Sequence, residues 1–265
     1  MKYKYLLTFI FCLCFSLASA DPFKTQQSTF NFLKELYADM DYDEIVQSTI
    51  GETSHHKLYV QFFKDILMDD ELLVPISSLI YDNKALLDDN PSLAAPLAST
   101  WSMSTALKGV SRLSDEDQLF FIEMTLLQIN MIDDKACALM IVGDSSNEEL
   151  SSIGFEAMEL LPGRLIKGYL STLKSSLLAE VRDYPLERFL SASERQVADA
   201  AFEKAYIGGL MDHDESEELI TAATDPKLSN PHYICENAKV MFSSILDLEG
   251  YTGTLVVRNL LAQMY

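Results

Sequence analysis

Ser114-Asp-Glu-Asp-Gln-Leu-Phe-Phe-Ile-Glu-Met-Thr-Leu-Leu-Gln-Ile-Asn-Met-Ile132 is the stretch on which the fold turns. Between Leu119 and Ile132 only Glu123, Thr125, Gln128 and Asn130 are polar. The run is too short and too polar to cross a bilayer, which takes about 20 apolar residues. It also lacks the alternation of a half-buried strand. It predicts a central core helix. Ser114 with Asp117 three residues on supplies its start, the carboxylate facing the positive helix end. Asp133-Asp134 then opens a further helical turn or two bearing Cys137.

Outward from this segment the same period recurs. Phe30, Leu33, Leu36, Tyr37 and Met40 mark one helical face over residues 26–40, and Leu58, Phe62, Ile66 and Leu67 another over 55–68. A short helix is expected at 70–80, interrupted near Pro75. Asn90-Pro91 reads as a cap with Pro at the first helical position, opening a helix to about Val110. Helices are expected at 147–161, at 164–183, after a capping box at Ser193-x-x-Gln196, at 215–224, after Asn230-Pro231, and over the last residues with Leu255, Leu260, Leu261 and Met264. Leu outnumbers Val by 39 to 10 and Gly numbers only 10, a balance that favours helix over strand. The expectation is an all-α protein of about ten helices in a single compact helical domain. The polar break at 143–147 is the place where two lobes would divide.

Residues 1–20 have the form of a secretory signal peptide: Lys2 and Lys4, an apolar run from Leu6 to Leu17, and Ala18-Ser19-Ala20 before the cut. The rival, an uncleaved anchor, has too short an apolar run. Phe11 and Leu13 are too bulky to precede a lipid-bearing Cys12 or Cys14. Cleavage removes two lysines and no acid, moving the formal charge from −20 to −22. It leaves Cys137 and Cys235, which an oxidising compartment is expected to join as a disulfide; two separate buried thiols are the alternative. No Asn-x-Ser/Thr sequon occurs, which favours a bacterial periplasm or envelope over eukaryotic secretion. Hydrophobic residues make up 48% of the chain, which excludes a disordered protein. With 20 basic residues against 40 acidic ones, nucleic-acid binding is excluded as well.

Candidate chemistry is sparse. Ala138-Leu-Met-Ile-Val-Gly143-Asp144-Ser145-Ser146 resembles the serine block of GDSL-type hydrolases. It lies far from the mature N-terminus, where that family carries it, and the Asp-x-x-His that supplies the family's base is missing. A helix end at Gly143 with a new cap at Ser145 or Ser146 accounts for it. Glu215-Ser216, near Gly208-Gly209-Leu210-Met211, resembles the helical lytic transglycosylases, with the order of the two elements reversed and Asp212 where that family has Gln. A working acid at Glu215 would need an apolar pocket to raise its pKa. Asp212-x-Asp214-x-Ser216 and Asp39-x-Asp41-x-Asp43 resemble the opening of a calcium loop. They lack the Gly and Glu that such loops carry at positions six and twelve, so capping is the plainer reading.

Four histidines occur, at 55, 56, 213 and 232. His55 and His56 project about 100° apart on a helix and are not expected to share a zinc ion. His232 reads as a first-turn surface group. Trp101 reads as a core anchor, with a partner-facing role as the alternative. No phosphate-binding glycine loop occurs and no cofactor is implied. The expectation is therefore an exported, non-enzymatic protein-binding module of the cell envelope, of the inhibitor or immunity type, whose acidic surface meets a basic envelope protein or toxin. The alternative is an envelope hydrolase, acting on peptidoglycan or another polymer, that uses a buried carboxylate.

Overall fold

The computed structural model describes residues 23–90, 93–142, 147–226 and 229–263. Residues 1–20, expected to be a signal peptide, Pro91, the Gly143-Asp144-Ser145-Ser146 block and Met264 lie outside the described residues. Every regular element longer than a single turn is an α-helix, and no strand occurs among the described residues. The helices are α1 (Gln26–Ala38), α2 (Tyr42–Thr49), α3 (His56–Leu67), α4 (Asp70–Asp82), α5 (Lys84–Asp89), α6 (Ala94–Val110) and α7 (Asp115–Met131). They continue with α8 (Asp134–Val142), α9 (Asn147–Glu159), α10 (Gly163–Val181), α11 (Ala192–Met211), α12 (Ser216–Thr224), α13 (Pro231–Leu246) and α14 (Gly250–Gln263).

Fourteen helices among the described residues replace the expected ten or so. The excess comes from short pieces whose ends are set by caps. Asp41 accepts from the N–H groups of Asp43 and Glu44 at 3.0 and 3.1 Å and so caps α2, a helix that the apolar period did not mark. Asn83 closes α4 and leads directly into α5. Pro75 does not interrupt α4, which runs through it with Leu72, Leu73, Ile76 and Ile80 buried. Burying that face outweighs the one ladder hydrogen bond that a proline removes.

The capping box of α11 is also displaced from its expected position. It is Ser191 with Glu194, not Ser193 with Gln196. Both pairs have the spacing, but Glu194 brings a charge, which strengthens the hydrogen bonds and suits the positive helix end. Its carboxylate accepts from the Ser191 N–H at 2.8 Å, the Ser191 hydroxyl at 2.6 Å and the Tyr251 hydroxyl of α14 at 2.7 Å. These bonds, led by the Ser191 hydroxyl, hold the Glu194 carboxyl down at about 2. A depressed folded-state pKa means stability that is fully present above the ordinary carboxylate value, near 4.5. It is lost as pH falls toward 2. Acid titration of the melting temperature is thus expected to show a fall between pH 5 and 2 that is shallower in Glu194→Gln. Equal slopes in the two proteins would count against this cap.

The chain gathers into two compact units, Met1–Gly109 with Ile166–Tyr184, and Val110–Leu165 with Pro185–Tyr265. The division does not fall at the 143–147 break, whose two flanks both belong to the second unit. In the first unit α1 packs on α4, α2 on α3, and α3 on α4. Leu72, Ala106 and Leu177 form a buried cluster there, joined by Ile66, Leu173, Leu178 and Val181. Gly109 lets α6 approach α10 so closely that a Cβ at this position would stand 1.9 Å from the Ser176 carbonyl oxygen. That contact returns residues 166–184 to the first unit.

In the second unit α13 is the hub, packing against α7, α8, α11, α12 and α14. The segment that decides the fold forms α7 as expected, with Ser114 accepting from the Asp117 N–H at 3.2 Å. Phe121, Ile122, Met124 and Ile129 are buried. Buried Gln118 donates to the carbonyls of Ser111 and Leu113, which pairs its amide nitrogen inside the unit, while its Oε1 is buried with no hydrogen-bond partner and carries a desolvation cost. Polar clasps join neighbouring helices. Tyr206 donates to Asn237 at 2.9 Å, Asn237 donates to the Leu219 carbonyl at 2.9 Å, and Arg258 grips Asp115 at 2.7 and 2.9 Å. Cys137 of α8 and Cys235 of α13 are joined in a disulfide with both residues buried. The bridge lies wholly inside the second unit and does not tie two lobes together.

Candidate functional site

Among the described residues, chemistry concentrates where the starts of α8, α12 and α13 meet. Asn230 accepts from the His232 N–H at 3.0 Å and Pro231 occupies the first helical position, so the start of α13 is fixed as expected. Asp133 caps α8 by accepting from the Ala136 N–H at 2.8 Å, which places Asp134 in the first turn. The disulfide lies three residues beyond Asp134 on α8 and three beyond His232 on α13. One helical turn from a covalent bridge, the two side chains meet, with His232 Nδ1 and Asp134 Oδ2 2.9 Å apart.

Glu215 reaches the other side of the ring, its Oε2 3.7 Å from His232 Nε2. Its Oε1 accepts from the Tyr233 hydroxyl at 3.4 Å. Glu236, four residues after His232 on the same helix, holds Lys239 Nζ at 2.7 Å. The hydrogen bond that the Asp134 carboxylate accepts from the ring raises the His232 pKa above its ordinary value; burial, the next largest influence, opposes the rise, and the charges of Asp134, Glu236 and Glu215 add to it. The Glu215 charge in turn raises that of Tyr233.

Glu215 therefore sits in a polar, half-open place, with its side chain 45% exposed. That is not the apolar pocket that a protonated catalytic acid needs. The other acidic candidates are separated by their structural duties. Asp212 ends α11 and is exposed, as is Asp214. Asp39 ends α1, Asp41 starts α2, and Asp43 pairs with His56 at 2.8 Å. Of these three, Asp41 is the helix N-cap, accepting from the N–H groups of Asp43 and Glu44. Trp101 is half-buried on α6, with Met103 two residues on 52% exposed.

A second feature lies between α10 and α11. Asp183, with φ +51°, stops α10 in the left-handed region that Asp tolerates better than most residues. The following strap has no regular structure. Leu186 and Phe189 are 73% and 80% exposed. The strap is nonetheless held, because Arg112 donates to the Pro185 carbonyl at 3.3 Å and Arg188 pairs with Asp115 at 3.7 Å.

Asp134, Glu236, Leu186 and Phe189 were not singled out from the sequence. The His232-x-x-x-Glu236 spacing was legible, since residues four apart share a helix face. The approach of Asp134 follows only once the disulfide is granted. The strap carries no sequence signal, because Leu186 and Phe189 look like core residues until the chain path is known. Compared with known proteins, the chain matches no protein-family model, no curated protein and no solved structure.

Proposed function

We propose that the protein is an exported, non-catalytic binding protein of the bacterial envelope, of inhibitor or immunity type, that captures a basic protein partner through the strap Pro185–Leu190. The observation that carries this reading is the pair Leu186 and Phe189, large apolar side chains left in solvent on a strap that two arginines pin down. Large apolar groups are the usual centres of protein interfaces, and a strap already held in place loses less entropy on binding. The formal charge of −20 favours a cationic partner and speeds encounter with it. The rival reading as an envelope hydrolase needs a buried carboxylate, and half-exposed Glu215 does not supply one.

The test compares wild type with Leu186→Ser/Phe189→Ser in capture from envelope extract at low salt. One defined basic protein, held by wild type, released by salt and lost at least about tenfold from a variant of unchanged melting temperature, supports the proposal. Equal capture by the two proteins, or no partner at any salt concentration, overturns it.

A further inference from the structure

We propose that Asp134, His232 and Glu236 form a binding site for a divalent transition-metal ion of the zinc type, independently of the role of the strap. Their donor atoms all lie within 4.8 Å of one another, and all three residues are partly buried. The imidazole separates this cluster from the purely acidic turns, because a ring nitrogen with carboxylate oxygens suits zinc and its neighbours better than calcium or magnesium. The 2.9 Å between His232 Nδ1 and Asp134 Oδ2 is a hydrogen-bond distance, and the two atoms need to part by only about 0.5 Å to stand as neighbouring ligands of a tetrahedral ion. The ion takes the place of the shared proton there. A Glu236 carboxylate oxygen supplies the third ligand, and Glu236 Oε1 also accepts from Lys239.

Two surrounding features fit the same assignment. With Nδ1 on the metal, Nε2–H points toward Glu215 Oε2, now 3.7 Å away, the carboxylate–histidine pairing that orients metal-bound imidazoles. The Cys137–Cys235 bridge, one turn further along both helices, fixes the separation of Asp134 and His232 before any ion arrives. Three protein ligands leave the remaining coordination position to water or to a group on another molecule.

Zinc ion alone is the probe, titrated into the purified protein against a colorimetric chelator at neutral pH. Wild type is expected to bind one equivalent saturably, and millimolar calcium or magnesium is expected not to displace it. His232→Ala is expected to weaken binding about 100-fold, and Asp134→Asn about tenfold or more. The His232 side chain is 42% exposed, so circular dichroism is expected to show an intact fold. Cys137→Ser/Cys235→Ser is expected to bind about tenfold more weakly, while His55→Ala/His56→Ala and His213→Ala bind as wild type. No saturable zinc binding, equal affinity in His232→Ala, or loss that follows His55 and His56 instead would overturn the assignment.

Discussion

Replacing Cys137 and Cys235 together by serine is expected to lower the melting temperature of the second unit by on the order of 10 °C. The bridge closes a loop of 98 residues. Chain-entropy reasoning gives a cross-link of that span about 4–5 kcal/mol of stabilisation. It also joins α8 to α13, the hub against which five helices of the second unit pack. Losing it frees the unfolded chain and loosens the seam from which Ala138, Ala222 and Ile234 build their cluster. Cys137→Ser alone is expected to match reduced wild type. Thermal denaturation with and without reductant, beside mass mapping of the oxidised protein, checks both statements. Free thiols in the purified, air-oxidised protein, or equal melting of the double variant and wild type, would contradict them.

Gly109→Ala is expected to cost about 3 kcal/mol, one of the largest effects of any single methyl in the chain. The added Cβ would stand 1.9 Å from the Ser176 carbonyl oxygen, 2.6 Å from its carbon and 3.2 Å from Glu180 Cβ. The first two are backbone atoms inside α10 and cannot swing aside, so α6 and α10 must separate along their shared seam. Ala106 and Leu177, buried in that seam, would lose contact as well. Gly208→Ala is the control. It lies inside α11 with open space around the new Cβ, so the helix preference of alanine is expected to leave stability unchanged or raise it by about 0.5–1 kcal/mol. Denaturant unfolding of both variants decides the matter. Equal midpoints would mean that α6 and α10 do not approach through Gly109.

These two predictions also show what was legible in the sequence. Period and caps located most helices: α7 starts at Ser114 and α13 at Asn230, as their cap chemistry dictates. The cysteine pair followed from parity and from the expectation of an oxidising compartment. Hidden were features set by distant contacts. Pro75 passes for a breaker until the burial of Leu72 and Ile76 is known. Gly109 looks like a weak helix residue until Ser176 lies against it. A polar break such as 143–147 reports a loop, whereas the return of residues 166–184 to the first unit is set by helix packing. The candidate site was half visible: Glu215 and His232 were each noted, but only the fold brings Asp134 against the His232 ring.

The most direct test of the proposed function is to replace Phe189 with the photo-reactive residue p-benzoylphenylalanine and irradiate cells that export the protein. One dominant cross-linked adduct to a basic envelope protein is expected, weakened by salt and absent when the photo-reactive residue stands at Leu219, buried within α12. Adducts only to acidic or scattered proteins, or none at Phe189, would contradict the proposed function.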